Sequence, residues 1–173
     1  MARQEQRFEE AVLPHLDAAY NLARWIMRND ADADDVVQDA CLRALRFIGG
    51  LRGNDGKVWL LKIVRNTCYS RFAHDRRRER ETEFDEDLHS PPVETLDPER
   101  LLLNSRDGEI INRALDELPD EFREVVVMRE LEGLSYKEIA EVAGVPLGTV
   151  MSRLARARKR LQRTLSMAPR EES

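Results

Sequence analysis

The sequence predicts an all-α fold of two helical domains joined by a flexible acidic linker, with a helix-turn-helix near the C-terminus. Apolar residues recur at helical spacing through most of the 173 residues, and no stretch alternates as a strand would. Residues 81–99 contain eight acidic residues, no basic residue and a Pro-Pro pair, a composition typical of a linker. We therefore expect an N-terminal domain at 1–80, a linker at 81–98 and a C-terminal domain at 99–168.

The N-terminal domain is expected to contain three helices. The first, at about 4–28, carries one apolar stripe and is ended by an Asn-Asp pair. The second, at about 33–48, begins with acidic residues that suit the positive end of a helix dipole. A loop at 49–56 with four glycines separates it from the third helix, at about 57–80.

The C-terminal domain is expected to contain helices at about 99–117 and 120–131, followed by the helix-turn-helix. Ser135 and Glu138 are spaced as a capping box, and Gly144 supplies the left-handed end of that helix. The next helix has two faces, an apolar stripe of Val150, Leu154, Ala157 and Leu161 and an opposite face of Ser152, Arg153, Arg156, Lys159, Arg160 and Arg163. Such a basic helix fits the DNA major groove. The alternatives are a purely structural hairpin or a peptide for an acidic partner.

The composition of the chain excludes several classes of function. No apolar run reaches membrane-spanning length and the N-terminus lacks a signal-peptide pattern, so we expect a cytoplasmic protein without membrane insertion. Cys41 and Cys68 are isolated within apolar patterns, which predicts core packing. His15, His74 and His89 are scattered without ligand spacing, and no nucleophile or phosphate-loop motif occurs. We therefore expect no enzyme, no cofactor and no metal site.

The net charge of −5 conceals two basic regions. Residues 57–80 contain eight basic and two acidic residues, and residues 133–165 contain seven basic and two acidic residues. Because contact with phosphates depends on local charge, both regions are candidates for nucleic-acid binding.

Three segments, in this order, resemble the extracytoplasmic-function (ECF) group of the sigma-70 family, and the resemblance covers nearly the whole chain. They are DADDVVQDACLRAL at 32–45, VWLLKIVRNTCYSRF at 58–72 and LPDEFREVVVMRELEGLSYKEIAEVAGVPLGTVMSRLARAR at 118–158. The resemblance implies a sigma factor that binds core RNA polymerase and promoter DNA and initiates transcription of a stress or envelope-type regulon. The chain begins without the inhibitory segment of primary sigma factors, so the resemblance also implies restraint by an anti-sigma factor.

The resemblance implies three sets of site residues. The polymerase-binding set is Asp34, Asp35, Gln38 and Asp39; the minus-ten set is Arg52, Asn54, Asp55, Lys57, Lys62, Arg65 and Asn66; the minus-thirty-five set is Ser135, Thr149, Met151, Ser152, Arg153, Ala155, Arg156, Arg158 and Lys159. Promoter opening needs a pocket for an extruded base, which we expect in the 49–56 loop through Asn54 and Asp55. We expect Trp59 in the core. Met151 stands where family members often carry Arg or Lys, so the promoter preference is expected to differ.

Two alternatives stay open. The alternative function is that of a stand-alone helix-turn-helix regulator with an N-terminal effector module, which would bind DNA alone and as a dimer. A basic helix at 57–80 behind an acidic docking helix disfavours that alternative, because such a regulator needs neither. The linker at 81–98 either threads through the polymerase channel or serves as a plain tether.

Overall fold

A computed structural model describes residues 2–53, 55–81 and 106–167, and every regular element within these ranges is helical. The all-α prediction is therefore confirmed. The chain divides into two compact units, whose described parts are 2–81, apart from position 54, and 106–167. The linker predicted at 81–98 lies outside the described residues, except for Glu81 at the end of a helix.

The N-terminal unit contains four helices. They are α1 (Ala2–Ala11), α2 (Leu16–Met27), α3 (Asp30–Arg46) and α4 (Gly56–Glu81), with 3-10 turns at Leu13–His15 and Ile48–Gly50. The single helix predicted at 4–28 is wrong, because Pro14 lacks an N–H group and clashes with the preceding turn of an α-helix. Arg28 adopts a left-handed φ of 60°, and Asn29 caps α3 by accepting a hydrogen bond from the Asp32 N–H at 3.1 Å.

The core of the N-terminal unit lies where α2, α3 and α4 pack together. Its fully buried side chains include Leu22, Val36, Leu60 and Leu61. Cys68 is also buried, as predicted, whereas Cys41 is half-buried, and this burial raises the pKa of its thiol above the ordinary value.

The C-terminal unit packs three helices around a long fourth. They are α5 (Arg106–Asp116), α6 (Asp120–Val126, continued by a π-helical turn at Val127–Leu131), α7 (Tyr136–Ala143) and α8 (Leu147–Met167). α8 contacts α5, α6 and α7. These three helices cover one side of α8, and the opposite side is accessible to solvent.

A buried arginine fixes the connection between α5 and α6. The Arg123 guanidinium is 1% exposed and donates hydrogen bonds to the carbonyl oxygens of Leu115 at 3.1 Å and Leu118 at 2.7 Å. It also pairs with the Asp120 carboxylate at 3.0 Å. These bonds join the last turn of α5 and the connection after it to the first turns of α6.

Candidate nucleic-acid interfaces

The turn between α7 and α8 has the geometry that the sequence predicts. The Ser135 hydroxyl accepts a hydrogen bond from the Glu138 N–H at 3.1 Å, and the Glu138 carboxylate accepts one from the Ser135 N–H at 2.9 Å. Gly144 ends α7 with a left-handed φ of 67°. The capping box and the glycine stop are both confirmed, and together they fix the angle at which α8 leaves α7.

α8 has a buried face and an opposite accessible face. Val150, Leu154 and Ala157 are buried, as their spacing predicts. The opposite side exposes Ser152, Ala155, Arg156, Lys159 and Arg163. This face is therefore cationic and carries small side chains near its start, where a helix can approach the base edges of a duplex closely.

Two arginines assigned to the same interface lie at the flanks of α8 and have acidic neighbours. Arg153 is 19% exposed, and its guanidinium lies 3.8 Å from the Glu121 carboxylate. Arg158 pairs with Glu130 at 3.2 Å. Hydrogen bonds to Tyr136 and Glu130 raise the pKa of Arg158 above its ordinary value. Both cations are thus partly neutralised within the unit, unlike Arg156 and Lys159, for which the described residues provide no ion-pair partner.

The remaining residues assigned to this interface lie at the N-terminus of α7 and in the first turn of α8. Ser135 is exposed, but its hydroxyl is used in the cap of α7. Thr149 is half-buried, and its carbonyl accepts a hydrogen bond from the Ser152 hydroxyl at 3.1 Å. Met151 is 53% exposed, so its thioether is accessible from solvent.

The acidic patch on α3 is accessible along its length. Asp34, Asp35, Gln38 and Asp39 are all exposed. Asp35 lies 3.6 Å from Arg71 of α4, and Asp39 lies 3.4 Å from Arg43. Pairs as exposed as these contribute about 0–1 kcal/mol, so a binding partner can displace them at little cost.

A shallow hollow of 280 Å³ lies between the end of α3 and the start of α4. It is lined by Arg43, Phe47, Gly50, Trp59, Ile63 and Asn66. The prediction that Trp59 belongs to the core is wrong, because its side chain is half-buried and faces this hollow. Gly50 is the one residue from the described part of the 49–56 loop in the lining, so the base pocket expected at Asn54 and Asp55 stays a prediction.

The residues assigned to minus-ten binding are distributed over the loop and two sides of α4. Lys62 and Asn66 are four residues apart, so they share a face of α4 with Trp59 and Ile63. Lys57 lies on another side, as does Arg65, which stacks 4.3 Å from the centre of the Tyr69 ring. The exposed loop residues Arg52 and Asp55 precede the helix, where the Asp55 carboxylate accepts a hydrogen bond from the Lys57 N–H at 3.2 Å. Asn54 lies outside the described residues.

Three aromatic or aliphatic side chains of the hollow, those of Phe47, Trp59 and Ile63, are not among the site residues that the sequence predicts. Phe47 is 58% exposed, an unusual position for a large aromatic residue. Trp59, Ile63 and Asn66 follow one another at intervals of four and three residues, which is the signal that places them on one face.

Within the described ranges, no cluster of three or more His, Cys, Asp or Glu side chains has the geometry to hold a metal ion. No helix in those ranges is both long and apolar enough to cross a membrane.

Comparison with known families matches both units. The family model for sigma-70 region 2 matches residues 11–78, and the model for sigma-70 region 4 matches residues 108–161.

Two relatives show the extent of the similarity. The chain is 37% identical over 155 residues to the ECF RNA polymerase sigma factor SigE of Mycolicibacterium smegmatis, covering 90% of this chain and 60% of that protein. It is 35% identical over 150 residues to the ECF RNA polymerase sigma-E factor of Haemophilus influenzae, covering 82% of this chain and 77% of that protein.

Two solved structures are similar to this chain in fold. The sigma factor RpoE from Bartonella quintana, crystallised in complex with the anti-sigma factor NepR, aligns with a TM-score of 0.76 and 29% identity, covering 94% of this chain and 98% of that chain. CnrH, solved in complex with the cytosolic domain of CnrY, aligns with a TM-score of 0.65 at 24% identity, which supports the fold alone.

Proposed function

The chain belongs to the extracytoplasmic-function group of sigma-70 factors, and from that premise we propose that it binds core RNA polymerase, recognises two promoter elements and initiates transcription. The observation that carries the proposal is the pair of surfaces described above, one in each unit. The first is an acidic patch beside an aromatic hollow, and the second is an exposed cationic helix face. The polymerase supplies the chemistry of RNA synthesis, and this chain supplies binding energy and base recognition.

The C-terminal unit recognises the minus-thirty-five element through α8. Arg156 and Lys159 lie on the accessible face, where they can reach the duplex, and the short side chains of Ser152 and Ala155 allow that face to approach the base edges. Arg156 is the strongest candidate for a base contact, since a free guanidinium can donate two hydrogen bonds to guanine. Arg153 contributes less, because its side chain is 19% exposed, whereas the exposed pair of Arg158 with Glu130 can be displaced by DNA at little cost.

The N-terminal unit recognises the minus-ten element through the hollow and the loop before it. An extruded base requires a surface for stacking and a polar group that reads its edge. Trp59 and Phe47 supply aromatic surface, and the Asn66 amide supplies both a donor and an acceptor. Lys62, on the same face of α4, is placed to contact the neighbouring phosphates. Arg52 and Asp55 extend this surface along the loop.

The acidic patch of α3 docks on core polymerase. Four exposed polar side chains on one rigid helix form a surface that keeps its shape before binding, so little entropy is lost on docking. The same patch and the adjacent apolar side chain of Leu42, which is 68% exposed, are suited to an anti-sigma factor that competes with polymerase. The complex of the Bartonella quintana relative with an anti-sigma factor supports this form of restraint. Because promoters and polymerase are cytoplasmic, the chain acts in the cytoplasm.

Reconstituted transcription tests the proposal. Purified chain and core RNA polymerase are incubated with a library of duplexes randomised over two short elements, and the templates that yield transcripts are sequenced. We expect transcripts only when chain and core are both present, and a bipartite consensus among the selected templates. Selection of a palindromic site by the chain without core would instead identify a stand-alone dimeric regulator.

A further inference from the structure

The first helix, α1, is linked to the segment that forms the rim of the aromatic hollow. The family model for sigma-70 region 2 begins at residue 11, so α1 precedes the matched part of the chain. Arg7 lies on the inner side of α1 and is half-buried. Its guanidinium donates to the carbonyl oxygens of Ile48 at 3.5 Å and Gly53 at 3.4 Å, and most closely to that of Leu51.

These three acceptors are separated from Arg7 by more than forty residues. The first part of their segment has two backbone hydrogen bonds of its own, from the Gly50 N–H to the Phe47 carbonyl oxygen and from the Leu51 N–H to the Ile48 carbonyl oxygen. The 3-10 turn Ile48–Gly50 ends there, and Leu51 is the last buried side chain before the exposed loop. Gly53 adopts a left-handed φ of 75°, a conformation that a glycine adopts without steric cost. Arg7 therefore provides hydrogen bonds that hold the backbone of 48–53 in one conformation.

α1 also fixes the chain beyond this segment. A Cβ atom on Gly56, the first residue of α4, would collide with the carbonyl group of Ala11, the last residue of α1. The backbones of the two helices are therefore in direct contact. Both ends of the connection between α3 and α4 are thus fastened to α1, by the Arg7 guanidinium at one end and by backbone packing at the other.

We propose that Arg7 is a positioning residue for minus-ten recognition: its guanidinium fixes the backbone of 48–53 so that Gly50 completes the rim of the hollow and Arg52 faces the DNA. This inference rests on the proposed function and extends it to a helix with no direct role in base contact. A planar guanidinium with five donors can serve three carbonyls at once, whereas a lysine ammonium would serve them less well. The promoter preference of the chain accordingly depends on a side chain that does not touch the promoter.

The test compares Arg7→Ala and Arg7→Lys with the matched control Arg3→Ala. Arg3 is an exposed arginine on the same helix, so its removal changes the charge of α1 equally. Hydrogen exchange of the backbone amides of 48–53 in the free chain should quicken in Arg7→Ala, less in Arg7→Lys, and not in Arg3→Ala. Exchange at wild-type rates in Arg7→Ala would overturn the proposed anchoring.

The functional readout uses holoenzyme and the duplex library randomised over both promoter elements. We expect Arg7→Ala to form open complexes on the order of tenfold less well and to lose base preference in the minus-ten element, while core affinity and the minus-thirty-five preference stay unchanged. Arg7→Lys should show the same loss to a smaller extent. A wild-type minus-ten preference in both variants would overturn the proposal. Equal losses at both elements would also overturn it, since they would mean general damage to the fold.

The two failures are distinguishable. If wild-type chain and core select no promoter, the proposed function fails and the inference fails with it. If wild-type holoenzyme selects a bipartite promoter and Arg7→Ala selects the same one, the inference alone fails.

Discussion

Replacing Arg156 by alanine separates base recognition from electrostatic attraction on α8. Arg156 lies on the accessible face, opposite the buried Val150, Leu154 and Ala157, and has no ion-pair partner among the described residues. Its full interaction is therefore available to DNA. A bidentate contact to a base contributes about 1–3 kcal/mol of discrimination, which corresponds to a roughly 5- to 150-fold loss of affinity at one base pair.

The matched control for this substitution is Arg160→Ala. Arg160 has the same charge and lies one turn further along α8, but its guanidinium is 5.0 Å from the centre of the Phe122 ring on the flank of the helix. Binding of each holoenzyme to a labelled promoter is measured by fluorescence anisotropy at several salt concentrations. The promoter is varied one base pair at a time within the minus-thirty-five element.

The expected result for Arg156→Ala is relaxed preference at a single base pair, with the other positions unchanged. If Arg156 contacts phosphate instead, binding weakens about equally on all sequences and the salt slope falls by about one. Arg160→Ala should stay close to wild type in both respects. Wild-type affinity and wild-type preference in Arg156→Ala would refute the assignment of this face of α8 to DNA.

Three further predictions follow from the structure. Arg123→Met should lower the free energy of unfolding by about 1–3 kcal/mol, because it removes the hydrogen bonds that the buried guanidinium donates to the Leu115 and Leu118 carbonyl oxygens; far-UV circular dichroism should report the change, and tryptophan fluorescence should not, since both tryptophans lie in the N-terminal unit. Asp39→Lys should weaken core binding in a titration while the melting temperature stays unchanged, and equal affinity would remove Asp39 from the docking surface. Met151→Arg should shift the base preference at one position of the minus-thirty-five element away from A·T. The reason is that a thioether can contact a thymine methyl group, whereas a guanidinium favours guanine. An unaltered profile of base preference would show that Met151 contacts no base.

The features predicted correctly from the sequence are those that depend on neighbouring residues. The capping box of Ser135 and Glu138 and the left-handed Gly144 are local devices, and their spacing alone specifies them. The apolar stripe of α8 follows from helical periodicity in the same way. The break at Pro14 was missed because the apolar stripe continues across the 3-10 turn, so periodicity alone does not reveal it.

The other features missed depend on contacts between distant parts of the chain. Glu121 and Glu130 precede their arginine partners by about thirty residues, so no local pattern shows that Arg153 and Arg158 are held within the unit. The hollow at Trp59 exists because α3 and α4 pack side by side, which periodicity does not specify. In the sequence, Arg7 is one of several charged residues on an amphipathic helix. Its contacts with 48–53 form only when the unit is folded, so no local pattern predicts them.

The central claim is that each unit recognises its own promoter element. Selection from a duplex library randomised over both elements, with holoenzymes that carry Asn66→Ala or Arg156→Ala, tests it most directly. We expect Asn66→Ala to alter base preference in the minus-ten element alone, because the Asn66 amide faces the hollow, and Arg156→Ala to alter it in the minus-thirty-five element alone. Altered preference in the same element for both variants, or in neither element, would show that the two units do not divide recognition in this way.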